Sequence, residues 1–189
     1  MNSQNADLAL ERMKQGNERF RTGRAEGMVI DGPLHEELKQ GQQPFAILLS
    51  CSDSRVPPEI LFDSGLGDLF VVRVAGNVAN VSSIASIEYA VLHLGSKLIV
   101  VMAHESCGAV AAAIDGGDAG KHLNSLLSHI QPALDPSVQD ANVIARRNAQ
   151  VNAEKMINES DILRSAVEND GVKIVTAFFH FTNGEVDFD

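Results

Sequence analysis

The chain has 189 residues, long enough to bury a core, with 44% hydrophobic and 21% charged residues, an ordinary soluble composition. Its 25 acidic residues against 15 basic give a net charge of −10, which argues against nucleic acid or an anionic membrane as main partner, since both reward clustered Lys and Arg. The polar segment Met1 to Arg21 lacks a signal-peptide core, and no apolar run approaches the ~18 residues of a membrane span. The expectation is a single domain over residues 1–189, in the cytoplasm.

Leu8, Leu10, Met13 and Phe20 recur among Glu11, Arg12, Lys14, Glu18 and Arg19, which predicts an amphipathic helix with a thin apolar stripe. Such a helix docks on a partner subunit or lies peripherally on its own chain. Thr22 to Pro44 reads mostly as loop, with a short helix at Leu34 to Lys39. The apolar run Phe45 to Leu49 predicts a central strand buried on both faces. Pro57 and Pro58 open a short helix through Phe62. Leu69 to Val74 is a second strand, and Gly76-Asn77 turns the chain. Ser82 and Ser83 are placed to cap a helix carrying Ile84, Ile87, Ala90, Val91 and Leu94, ended by Gly95.

Leu98 to Met102 is the third strand. An alanine-rich helix follows Gly108 and stops at Gly116-Gly117. Gly120 to Ala133 and Val138 to Asn169 read as helices interrupted at Pro132 and Pro136, with Val143, Ala145, Val151, Met156, Ile162, Leu163 and Val167 as apolar positions. Val172 to Phe181 is the last long strand, and Asn183-Gly184 signals a hairpin to Glu185–Phe188. The fold class is therefore α/β, a mainly parallel sheet with an antiparallel C-terminal edge, flanked by helices.

The only two cysteines, Cys51 and Cys107, each follow one of the apolar strands, and His104 precedes Cys107 by three positions. A bland reading makes them buried thiols or one disulfide. Two thiolates and one imidazole are instead the ligand types of Zn²⁺, and three protein ligands leave a tetrahedral position open, as in catalytic sites. Strand carboxyl ends are where α/β sheets build sites. If the segment is extended, Cys51, Asp53 and Arg55 project to one side. Asp53 then either closes the site as fourth ligand or pairs with Arg55 and orients a zinc-bound hydroxide. Glu105 and Ser106 border the ligands. Arg73 is placed to bind an anion or pair with an acid such as Asp68. His35, His93, His122 and His129 show no metal spacing.

Cys51-Ser52-Asp53-Ser54-Arg55-Val56-Pro57, Phe70-Val71-Val72-Arg73, Ser86-Ile87-Glu88-Tyr89-Ala90 and His104-Glu105-Ser106-Cys107-Gly108-Ala109 resemble the β-class carbonic anhydrases over nearly the whole chain. The resemblance implies zinc-dependent reversible hydration of carbon dioxide to bicarbonate and a proton. It implies a dimer or tetramer with sites at the interface and an N-terminal helix docked on the partner subunit. By the motif match, Cys51, His104 and Cys107 hold zinc, Asp53 and Arg55 form the catalytic dyad, and Gln42 and Gly108 meet the substrate. The tryptophan of the bicarbonate-regulated subtype is missing, with Leu48 in its place. Two departures stand out: Ala103 occupies the usual glycine position before His104, where a methyl either crowds the pocket or touches the sheet, and Phe178-Phe179 stand where tyrosines are common, making the pocket mouth drier. An alternative keeps fold and zinc but hydrolyses carbon disulfide or carbonyl sulfide, with Phe62, Phe70, Val74 and Tyr89 setting pocket width. A non-catalytic zinc module has no need of Gln42 or Arg55. A Rossmann nucleotide site is disfavoured, since Gly65-x-Gly67 lies ahead of the second strand rather than after the first.

Overall fold

The computed structural model describes residues 5–27 and 32–189, apart from the side chains at positions 32 and 35. Met28 to Asp31, within the segment read as loop, and the role of His35 lie outside the described residues.

Strands β1 (Ala46–Ser50), β2 (Leu69–Arg73), β3 (Leu98–His104), β4 (Lys173–Phe179) and β5 (Val186–Phe188) form a five-stranded sheet in the order β2-β1-β3-β4-β5. The first three pairings are parallel, and β5 closes the far edge antiparallel to β4. Every residue of β1 and β3 is buried, because these central strands have helices on both faces. Every residue of β2 is half-buried, as suits an edge strand. Since β1 and β3 are adjacent and parallel, with Ser50 opposite Met102, Cys51 and His104 emerge side by side at one end of the sheet.

Helix α1 (Ala6–Arg21) forms where expected, and of its expected stripe Met13 is buried and Leu10 and Phe20 pack against the core, while Leu8 does not. Leu8 is 71% exposed, and the buried face is Ala6, Ala9, Met13, Gly16 and Asn17. Small residues win because the helix lies very close to the loop after α3 (Pro58–Leu61): a Cβ on Gly16 would sit 2.0 Å from the Phe62 carbonyl oxygen. Asn17 is buried because it donates to the carbonyls of Leu61 (3.2 Å) and Gly184 (2.9 Å) and accepts from the amide of Val186 (2.9 Å). These contacts tie α1 to its own chain.

A short helix α2 (Gly32–Leu38) leads into β1. Helix α4 (Val81–Leu94) is capped by Asn80, just ahead of the serines. Asn80 accepts from the Ser83 amide (3.0 Å) while the Ser83 hydroxyl accepts from the Asn80 amide (2.8 Å), so Ser83 is the return half of a capping box. Gly95 ends the helix with φ 73, a left-handed conformation that glycine adopts without strain. After α5 (Gly108–Asp115) and α6 (Lys121–Ser128), the stretch read as one helix over Val138–Asn169 is two, α7 (Ala141–Glu159) and α8 (Asp161–Asn169). Ser160 makes the break: its side chain accepts from the Leu163 amide at 3.0 Å and donates to Glu88. Val143 and Ile162, taken as apolar packing positions, are exposed, and buried Asn148 and Asn152 lie on the α7 face instead.

Candidate metal centre

Cys51, His104 and Cys107 offer ligand atoms that all lie within 4.8 Å of one another, and all three residues are buried. Ligand atoms around a tetrahedral zinc stand about 3.8 Å apart, given a Zn–S bond near 2.3 Å, so the three residues are spaced to fit such an ion. The His104 ring supports the same assignment. Its Nδ1 lies 2.8 Å from the Glu105 carbonyl oxygen, which can only accept, so Nδ1 carries the hydrogen and Nε2 keeps its lone pair. That Nε2 is buried without a hydrogen-bond partner, as are Ser50 Oγ and Asn77 Nδ2. An unpartnered buried imidazole nitrogen beside two thiols is a ligand position.

The thiols share a proton. The Cys51 pKa is brought down to about 4, chiefly by a hydrogen bond from Cys107, against the opposing pull of burial. The Cys107 pKa is pushed up by that same bond and by burial. The Gly76 amide also donates to Cys51 Sγ at 3.3 Å. One of the three donors is thus already anionic, and a divalent cation would take the place of the shared proton.

The loop carrying these groups is held by residues whose roles the pattern did not reveal. Arg73, at the end of β2, donates to the backbone carbonyls of Cys51 (2.9 Å, from Nε) and Asp53. It therefore braces the ligand loop; Asp68, its suggested partner, pairs with Arg12 at 2.7 Å. Asn148 donates to the Gly76 carbonyl at 2.7 Å, and Asn152 both accepts from the Ala79 amide (2.6 Å) and donates to Asn148. These asparagines fix the turn that reaches Cys51. Their signal was legible: two amides spaced i, i+4 within the apolar stripe of Ile144, Ala145, Ala149 and Met156. Ser106 has φ 50, strained for a residue with a side chain, which lets the chain curl from His104 to Cys107; Asn142 accepts its amide at 3.0 Å.

Asp53 does not join the three ligands. The segment is not extended, since Val56 donates to the Asp53 carbonyl at 3.1 Å and closes a turn over Ser54-Arg55. Asp53 Oδ1 accepts from the Arg55 amide and Nε, each at 2.9 Å, and Oδ2 accepts from an Arg55 terminal nitrogen at 2.7 Å. This grip, more than any opposing burial, holds the Asp53 carboxyl well below the usual carboxylate range. The Arg55 guanidinium lies 4.3 Å above the Phe181 ring.

Gly108 opens α5 beside Cys107, and a Cβ there would meet nothing within 4 Å. Gln42 is exposed and precedes β1, whereas Cys51 follows it. The strand alone separates them by about 17 Å, at about 3.3 Å per residue, so one chain does not bring Gln42 to its own cysteines. Ala103 is buried in β3 opposite Phe178, and alternation turns it away from the face of His104, so its methyl belongs to the core. Phe178 and Phe179 are likewise buried and line no mouth, and Phe62, offered as a pocket wall, is 1% exposed. Glu105 is no solvated bystander: it contacts His180 Nδ1 (3.1 Å) and accepts from the Phe181 amide (2.7 Å), while His180 Nε2 meets Asp187 (2.8 Å) and Arg146 (3.0 Å). His93 and His122 are exposed, and His129 contacts Lys155.

A family model described as carbonic anhydrase matches residues 46–186. Carbonic anhydrase 2 of Mycobacterium tuberculosis (strain H37Rv) is 43% identical over 138 residues, covering 71% of this chain and 67% of its own length. A carbonic anhydrase of Mycolicibacterium smegmatis is 42% identical over 146 residues, covering 73% and 67%. Among solved structures, a tetrameric β-carbonic anhydrase from Sordaria macrospora superposes with a TM-score of 0.73 at 27% identity, over 96% of this chain and 94% of that one.

Proposed function

The chain belongs to the carbonic anhydrase family, in its β class, and on that premise we propose that Cys51, His104 and Cys107 hold the zinc of an enzyme that interconverts carbon dioxide and water with bicarbonate and a proton. The observation that carries the reading is the convergence of two thiols and an unpartnered imidazole nitrogen beside the Asp53–Arg55 pair. When bound, zinc supplies Lewis acidity, lowering the pKa of a water towards neutrality so that a nucleophile exists at working pH.

The rest is done by the chain's own residues. A carboxylate has about four acceptor positions. Arg55 fills two on Oδ1 and one on Oδ2 of Asp53, leaving one on Oδ2. Because Arg55 keeps Asp53 ionised, that position accepts from an O–H and never donates. It thereby turns the lone pair of the attacking oxygen towards the carbon of carbon dioxide. As the new C–O bond forms, one C=O π pair of carbon dioxide moves onto its oxygen to give bicarbonate, and the proton given up by the attacking water passes to solvent. The absent side chain at Gly108 leaves room for the small substrate beside Cys107. The relatives' shared name favours hydration of carbon dioxide over hydrolysis of sulfur analogues, and that alternative is set aside.

Gln42 meets substrate only from a second copy of the chain. The outer edge of β2 has no strand partner among the described residues, and Val81, Ala85, Tyr89 and Leu92 form an exposed apolar stripe on the neighbouring α4. We propose that copies associate there into a dimer, or a tetramer like the Sordaria structure, with Gln42 donating in trans. Docking of α1 on the partner then uses its exposed residues, Leu8 among them. A continuous core from Ala6 to Val186 supports one zinc domain, and thiol ligands support a reducing, cytoplasmic setting. No helix among the described residues is long and apolar enough to cross a membrane.

Asp53→Asn and Arg55→Leu test the assigned roles. Each is expected to keep zinc while losing about a hundredfold or more in kcat, as removal of an orienting proton acceptor does. Loss of zinc in Asp53→Asn would make Asp53 a ligand instead.

A further inference from the structure

We infer that Phe181 is a positioning residue of this site, holding Arg55 in the orientation from which it grips Asp53. The inference rests on the carbonic anhydrase reading for its consequence, but its geometry stands alone.

Arg55 is 52% exposed at its side chain and sits on a surface turn. In its own plane the guanidinium forks onto Asp53. On its face it has the Phe181 ring, 4.3 Å from the guanidinium carbon to the ring centroid. A cation over an aromatic face is drawn in by the negative face of the ring, which an aliphatic side chain does not offer. The ring is itself held from three sides. It stands edge-on to the His104 ring at 5.8 Å and 72°, and edge-on to Phe179 at 5.2 Å and 89°. Its backbone amide donates to Glu105 Oε2 at 2.7 Å. Glu105 directly follows the ligand His104. One short loop therefore sets both the imidazole and, through Phe181, the arginine that aims Asp53. If Arg55 rotates off the ring, its fork leaves the plane of the Asp53 carboxylate and the open position on Oδ2 turns with it. Phe181 touches neither substrate nor metal in this scheme; it acts through Arg55.

The test compares full-length, zinc-loaded wild type with Phe181→Leu and Phe181→Trp by proton–nitrogen NMR of the Arg55 Nε–H, alongside carbon dioxide hydration. In the wild type the ring current shifts that proton upfield. Phe181→Leu is expected to move it downfield and to lower kcat about two- to fivefold at unchanged zinc content, the factor an exposed cation–π contact provides. Phe181→Trp is expected to restore the rate and shift the proton further upfield, and it keeps the proposal testable if Phe181→Leu does not fold. An Arg55 resonance that moves in neither variant overturns the inference. A resonance that moves while kcat holds also overturns it, since Phe181 then only packs. Wild type with the shifted resonance but no hydration would fail the enzymatic reading while leaving the Arg55–Phe181 geometry in place.

Discussion

At the scale of single residues, a few polar contacts decide what the sheet end can do. The Glu105 carbonyl selects the His104 tautomer that leaves Nε2 free, and the Cys107 thiol protects charge on Cys51. Arg73 adds a mechanical role by spanning from β2 to the loop after β1 and donating to two of its carbonyls. Arg73→Leu leaves those half-buried carbonyls unpaired. It is expected to destabilise the fold by about 2 kcal/mol and to weaken zinc retention, read by urea unfolding and metal analysis of dialysed protein. Retention equal to wild type would reduce Arg73 to a surface contact. The ligands and Asp53–Arg55 were readable because residue types with few other uses followed two apolar runs. Arg73 was not, since a lone arginine at a strand end suits an anion, an acid or a carbonyl equally well. Asp53 was read with both outcomes open, and the turn at Ser54-Arg55, not strand alternation, sets its pairing with Arg55.

At the scale of elements, the sheet followed from short apolar runs, and its helices from periodicity and glycine stops. What periodicity hid were polar side chains buried for backbone reasons: Asn17 on α1, Asn148 and Asn152 on α7, and Ser160 between α7 and α8. Each satisfies a main-chain group of a different element, a long-range pairing that no local pattern encodes. The turn joining β4 to β5 has its own electrostatic clamp in His180. Burial pulls its pKa down, but Asp187 and Glu105 outweigh burial and raise it above 6.5. Arg146 faces the same Asp187 carboxylate at 2.6 Å. Because the folded value exceeds the unfolded one, the protonated clamp contributes in full below the unfolded pKa and is lost as pH rises through the folded pKa. Glu105 and Asp187, both held below their usual range, lose their contribution only as the solution becomes acidic. Wild type is therefore expected to lose about 1 kcal/mol of stability as pH rises through and above the ordinary histidine range, a loss that His180→Gln does not show, measured by unfolding at each pH. Parallel profiles would contradict the clamp.

At the scale of the whole molecule, the sheet separates what the sequence brings close. Gln42 and Cys51 flank one strand, yet lie at its opposite ends, so a site that uses Gln42, as proposed, would take it from a second copy. Mixing a Gln42→Ala chain with an Asp53→Asn chain tests this. A mixed dimer contains one site with Asp53 from one copy and Gln42 from the other, so activity is expected to exceed that of either parent. Activity at the parental level would mean that Gln42 does not act in trans. In the sequence a second copy was only implied by the family resemblance, because local patterns carry no trace of where a partner sits; the fold adds an open strand edge and an exposed apolar stripe. Every role proposed for these residues requires a zinc held by Cys51, His104 and Cys107 and turnover of carbon dioxide. The most direct test is stopped-flow carbon dioxide hydration of metal-stripped protein titrated with zinc, beside Cys107→Ser. The rate is expected to rise linearly and saturate near one zinc per chain, with Cys107→Ser flat throughout. Full zinc uptake without hydration, or hydration undiminished in Cys107→Ser, would contradict it.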